Sequence, residues 1–289
     1  MPKKKEKAPP IEKPKDQGAP SVVIDNGSRW IKSGFAGELQ PRATLASTGL
    51  AGEGDMVPIS RGVVRDWDTM EAYWDHAFTN QLGIHTDHCN VLLTSPLFDP
   101  KVNKEKLMQS LFETFAVLGV YTCAPAVLEM YTANRENGVI VGCGAQCTYA
   151  VLMHEGLPDP RTQLRSDVAG DALDGWVASV LAKAGAGAVG EEAARKAKEQ
   201  LGACAADGAG TPPLGLAAAT FELPDGKKLQ VSAQQRASFS APLFDTTLVG
   251  EAGGGLAQLV GECIRLRDRD GALESTVFGQ DGTSNWCAP

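Results

Sequence analysis

The chain has 289 residues, 43% apolar and 21% charged, with 27 basic and 35 acidic side chains for a net charge of −8. That length allows one large domain or two lobes around a cleft, and the acidic balance argues against a general nucleic-acid surface. No apolar run reaches the ~18–20 residues of a membrane span, and the N-terminus lacks the apolar stretch of a secretory signal, so the chain reads as soluble and intracellular. Its seven cysteines, at 89, 123, 143, 147, 204, 263 and 287, form no CxxC pair and no zinc-finger spacing. They read as structural thiols.

Residues 1–20 carry Lys3, Lys4, Lys5, Lys7, Lys13 and Lys15 among prolines, without apolar periodicity. This composition predicts a disordered tail, with three readings: a solvated end, an electrostatic tether to an acidic partner, or a nuclear-import signal. Order begins with SVVIDNGS at 21–28, a strand entering a tight turn, and WIKSGFAG at 30–37 is its hairpin partner. Residues 66–83 open on an Asp and space Met70, Tyr73, Trp74 and Phe78 as a helix face; Trp67 and Trp74 fall in the core. His85 and His88 around Asp87 read as a surface turn.

VLLTSP at 91–96 is a buried strand, and 101–119 an amphipathic helix closed by Gly119. A strand and a helix follow, then a second hairpin over 138–156. From 167 the chain turns rich in Ala and Gly, with two helices around DALDGWVASVLAKAG and EEAARKAKEQLGACAA, joined by a linker at 184–190. ATFELPDGKKLQVSA at 219–233 is a hairpin turning at Asp225-Gly226. A loop and an amphipathic helix occupy 242–266, and 275–286 reads as a last strand. A hairpin followed by helices, appearing twice, predicts two α/β lobes.

Several stretches are specific beyond this pattern: IDNGS, SGFAG and PRA within 24–43, VxDWDxMExxWxHxF at 64–78, VLLTSPLFDPKxNKEKLMQxxFETF at 91–115 and FELPDG at 221–226. In sequence and spacing, from about Ser21 to about Ser284, the chain resembles the actin superfamily, as a divergent, shortened member. The resemblance implies an α/β, actin-like two-lobed fold of the actin, hexokinase and heat-shock ATPase type, with ATP and a divalent cation held between two phosphate-binding hairpins. It divides the chain into a tail at 1–20, a first lobe at 21–137 with an internal deletion at 43–57, and a second lobe at 138–289 truncated at its C-terminus. Only 15 residues separate Arg42 from Pro58, where the family carries a small outer subdomain that grips the next subunit. The family's closing helices are also missing, so a sheet edge or apolar face should be left for a partner.

The same resemblance places a nucleotide cleft at Asp25, Gly27, Ser28, Lys32, Gly144, Gly170, Lys198 and Glu199. Within it, Arg29 replaces a glycine; its side chain either clashes with phosphate, the favoured reading, or binds phosphate in place of the cation. The second hairpin has Gly142-Cys143-Gly144-Ala145-Gln146 where the family has two carboxylates. Pro125 stands at the family's water-orienting Gln and Tyr149 at its His. No metal site and no catalytic residue are expected, and no cofactor, with ATP or ADP the candidate if the cleft is retained. Lys198 and Glu199 have a plainer reading as a solvent-facing pair, and Asp281 disturbs the second adenosine-side turn.

The expected function is therefore a non-catalytic structural or adaptor subunit of a larger cytoskeletal assembly, cytoplasmic and in the axonemal version ciliary, that forms no conventional filaments. An acidic partner such as tubulin would suit the Lys-rich tail; neither a membrane nor sequence-specific nucleic acid is expected. The alternatives are a nuclear actin-related subunit of a chromatin complex, a nucleotide-binding switch with weak or no hydrolysis, and a shortened copy of an ordinary family member.

Overall fold

Alternating burial along 21–35 builds the first sheet. β1 (Ser21–Asn26) places Val22 and Ile24 inward, and β2 (Trp30–Phe35) returns antiparallel with Ile31 inward. A computed structural model describes residues 18–48, 50, 57–205, 208 and 210–268. The Lys-rich tail through residue 17, the segment 51–56 and the strand expected at 275–286 lie outside these residues. β3 (Ala43–Ala46) extends the sheet beyond β2, and β4 (Ile59–Ser60) and β5 (Val63–Val64) form a small separate hairpin.

Asp66 accepts a hydrogen bond from the Thr69 amide at 3.3 Å and so caps α1 (Trp67–Asp75). The helix widens into a π turn over 76–82 and ends at Gly83 in the left-handed region, φ 63°. Its buried face, Met70, Tyr73, Trp74 and Phe78, lies on the sheet. β6 (Asn90–Thr94) runs parallel to β1. α2 (Lys101–Gln109) follows and also ends in a π turn, 110–114. Phe115 closes this core with its ring 6.2 Å from Trp74 and 5.5 Å from Phe78.

The helix stops at Phe115 rather than at Gly119. Gly119 instead opens β7 (Gly119–Cys123), opposite Asn90 of β6, where a Cβ would come within 2.7 Å of Asn90 Oδ1. The glycine serves strand approach, not helix capping. The sheet order is β3-β2-β1-β6-β7. Among the described residues β3 and β7 are its outer strands, and beside β7 Leu118, Tyr121 and, on the next helix, Tyr131 are exposed.

α3 (Pro125–Thr132) leads to the second hairpin, β8 (Gly138–Cys143) and β9 (Thr148–His154). β10 (Leu157–Pro158) and β11 (Leu164–Ser166) also pair with β9. The two faces of β9 are covered by different helices, as period-two alternation requires. Val151 and Met153 meet Ala126, Val127 and Met130 of α3. Ala150 and Leu152 meet Cys263 of the C-terminal helix. Although it precedes residue 138, α3 thus packs on the second sheet and acts as the joint between lobes.

α4 (Gly170–Leu181) and α5 (Glu191–Leu201) pack through Val177, Leu181 and the small Ala194 and Ala197, with β12 (Ala219–Glu222) and β13 (Lys228–Val231) completing the cluster. The chain then passes through α6 (Ala233–Ser238), begun by a Ser232–Gln235 capping box, and α7 (Ala241–Phe244) to α8 (Leu256–Asp268). No helix among the described residues is long and apolar enough to cross a membrane.

Candidate functional site

The two hairpin turns, 26–30 and 143–148, are brought together by the β4–β5 turn. In the first, the Asn26 amide donates to Thr94 Oγ1 at 2.8 Å, and that hydroxyl donates to Asp25 Oδ1 at 2.9 Å. Trp74 Nε1 donates to Asn26 Oδ1 at 3.2 Å, tying the turn to the core of α1. Lys32 Nζ stands 3.9 Å from Asp25 Oδ2. Gly27 is held through its carbonyl, which accepts from Ser47 Oγ at 2.9 Å.

The β4–β5 turn bridges both hairpins. The Gly62 amide donates to Ser28 Oγ at 2.9 Å, and the Arg61 amide donates to Gln146 Oε1 at 2.8 Å. Arg61, in the left-handed region at φ 53°, also pairs with Asp167 at 2.6 Å, and Arg165 holds the same carboxylate at 2.8 Å.

In the second hairpin the carbonyls of Gly144 and Ala145 accept from the amides of Gly170 (3.0 Å) and Asp171 (2.8 Å). The first amides of α4, which an anion could otherwise use, are thereby satisfied within the protein. Tyr149 lies directly across β8 from Gly142, and a Cβ at 142 would come within 2.3 Å of its ring. Its hydroxyl donates to Glu129 Oε1 of α3 at 3.1 Å. Glu129 opens to the cleft, yet burial by surrounding protein and the nearby Asp25 charge raise its carboxyl above the ordinary value, against the Tyr149 hydrogen bond. Burial and the adjacent Glu129 push the Tyr149 hydroxyl far up, so it stays protonated and donates to Glu129.

Arg29 leaves the first turn and crosses to the second lobe. Its guanidinium bonds Asp174 Oδ2 at 3.0 Å, Asp171 Oδ1 at 2.5 Å and Glu191 Oε1 at 3.0 Å. Asp174 is fully buried and its other oxygen is 2.5 Å from Lys198 Nζ, which also donates to the Gly170 carbonyl at 3.0 Å. Burial works against the Arg29 charge, but Asp171 and Asp174 outweigh it and hold the proton more tightly.

A model of the family described as Actin matches residues 53–201. Actin-related protein 2 of Arabidopsis thaliana is 30% identical over 87% of this chain and 74% of its own length. An actin-like protein of Neurospora crassa is 32% identical over 86% of this chain and 75% of its own length. The chain belongs to the actin family.

Against the actin-family pattern, Asp25, Gly27, Ser28, Lys32, Gly144 and Gly170 lie together on the two hairpins and the start of α4. Glu199 is exposed and lines an open groove of about 400 Å³ with Trp30, Lys32, Arg195 and Lys196. Lys198 departs from the solvent-facing reading, because its ammonium pairs with the buried Asp174 and donates to the Gly170 carbonyl. Arg29 likewise has a role that its replacement of a glycine did not reveal, since its guanidinium is engaged by three carboxylates. The family's divalent cation does not fit the second hairpin as built: Gly142 and Ala145 bring no side-chain oxygen, the Ala145 carbonyl is taken by the Asp171 amide, and the Tyr149 ring fills the space above Gly142.

Sequence reasoning missed Asp171, Asp174, Glu191, Glu129, Arg61 and Asp167. One signal was available: an arginine placed in a small-residue turn needs a carboxylate partner, and Asp171 and Asp174 stand three apart at the start of a helix.

Proposed function

We propose that this actin-family chain is a non-catalytic structural subunit of a larger cytoskeletal assembly, one that neither hydrolyses ATP nor builds conventional filaments. The observation that carries this reading is the Tyr149 ring seated over Gly142. A side chain at 142 requires that ring to shift, so restoring the second anchor for a hydrated cation means moving Tyr149 as well as changing Gly142. Pro125, at the first position of α3, has no side-chain donor or acceptor for an attacking water. Positioned proton-transfer and water-orienting groups contribute ~10²–10⁴ in rate each, and phosphoryl transfer rests on such positioning.

The exposed Leu118, Tyr121 and Tyr131 beside the outer strand β7 supply the surface through which a partner would join. An axonemal and a nuclear version of this role are separated by where the tagged protein localises. A nucleotide-binding switch is the second reading, favoured by the groove where Lys32, Arg195 and Lys196 surround Trp30.

The test is the nucleotide content of the purified protein, read by denaturation and chromatography, with a thermal melt with and without Mg-ATP. No bound nucleotide and no shift is the expected result. Stoichiometric ATP or ADP, or phosphate release above background, overturns the proposal in favour of the switch.

A further inference from the structure

The carboxylate oxygens of Asp171, Asp174 and Glu191 lie within 4.8 Å of one another. Three such charges repel strongly, and one of them, on Asp174, is fully buried. An arrangement of this kind persists only with positive charge inside it. Arg29 supplies that charge from the other lobe, reaching partners 142 to 162 residues away in sequence. Its side chain is only 17% exposed. Guanidinium suits the task because its planar fork presents several donors at fixed angles, so one side chain can serve three carboxylates at once. Lys198, from α5, neutralises the remaining oxygen of Asp174. Exposed ion pairs alone would contribute little, but here a buried carboxylate depends on a residue of the opposite lobe.

We propose that Arg29 is an internal cation that latches the two lobes together, so that the cleft closes without any ligand. The inference extends the reading of a nucleotide-independent subunit: the residue that departs from the family's glycine stands in, as a closing charge, for what a bound ligand would otherwise do. The turn that carries Arg29 is also tied to the core by Asn26 and Trp74, so force on the latch is transmitted to the first lobe's sheet.

The experiment uses the full chain and its Arg29→Ala variant, compared by small-angle X-ray scattering and by amide exchange of residues 26–29 and 170–174. The variant is expected to show a larger radius of gyration and several-fold faster exchange at both segments. Millimolar calcium should slow exchange at 170–174 in the variant, because the vacated carboxylates are hard oxygen donors. It should not restore compact scattering, because all three carboxylates belong to the second lobe and an alanine at position 29 offers no ligand. The wild-type protein should be unchanged. Arg29→Lys is expected to fall between, since a point charge cannot fork to three partners. Should Arg29→Ala fail to fold, Asp171→Asn/Glu191→Gln removes the two more exposed acceptors and is expected to open the lobes in the same direction. Unchanged scattering and exchange in these variants overturns the proposal. So does a compaction of Arg29→Ala by calcium alone, which would show that charge neutralisation within the second lobe closes the cleft without the Arg29 bridge. Nucleotide content is measured on the same samples: ATP bound to the wild-type protein would sink the nucleotide-independent reading, whereas unchanged scattering would sink the latch alone.

Discussion

The ring of Tyr149 covers its cross-strand neighbour Gly142 so closely that a side chain at 142 requires the ring to shift. Gly142→Asp alone places a charged side chain into an occupied space, and overpacking of this kind costs about 1–3 kcal/mol. Gly142→Asp/Tyr149→His removes the ring and is expected to recover most of that loss. Urea unfolding of the two single variants and the double variant gives the coupling directly. Additive changes would mean that the ring moves aside at no cost.

Asp174 is the most sensitive member of the interlobe cluster. Replacing it with Asn removes the buried carboxylate shared by Arg29 and Lys198 and leaves two cations without their common partner. Breaking a buried pair in this way costs about 3–5 kcal/mol. Glu191→Gln, at a position 70% exposed, is expected to cost no more than about 1 kcal/mol. Chemical denaturation of both variants tests the contrast, and equal losses would show that burial is not what sets the strength of the cluster.

Legibility followed the range of the interactions. The hairpin at 21–37, the helix opening at Asp66 and the Asp225-Gly226 turn rest on near neighbours in sequence, and each stands where its residue pattern places it. Gly119 misled because a glycine after a helix reads as a cap, whereas its constraint comes from Asn90 on another strand. The π turns at 76–82 and 110–114 keep the apolar face of a helix while shifting its end, so spacing alone does not reveal them. In the cleft, the motif residues at 25–32 were readable, but the roles of Arg29 and Lys198 were not. Their partners lie on helices whose approach is decided by the packing of Ala194 and Ala197 against α4.

Glu129 should give the cleft a pH-dependent component of stability. Burial raises its folded-state pKa above the ordinary 4.5, so the folded protein holds this proton more tightly than the unfolded chain does. The stability from that proton is complete below the unfolded value and is lost as pH rises through the raised folded value. Glu129→Gln keeps an acceptor for the Tyr149 hydroxyl and removes the charge. The variant is therefore expected to match the wild type in acid and to exceed it at neutral pH. Thermal melts from pH 4 to 7.5 check the sign; a variant less stable at neutral pH would mean that the carboxylate charge is favourable here.

Thiol reactivity should sort by burial rather than by order along the chain. Burial first, with the nearby Asp87 charge, pushes the Cys89 thiol up to about 11. At pH 8 roughly one molecule in 1,000 would then carry the thiolate there, the form that reacts. Cys123 and Cys263 are buried, and burial raises both thiols. Cys204 is exposed and is expected to be alkylated first among the described cysteines. Cys143, although partly open to solvent, is desolvated by its position in the second hairpin and hydrogen-bonded with Thr148 at 3.0 Å, so it should react more slowly than Cys204. Timed iodoacetamide labelling of the native protein, read by peptide mass spectrometry, gives the order. Early labelling of Cys89 would show that the core at the start of β6, under α1, opens far more readily than its packing implies.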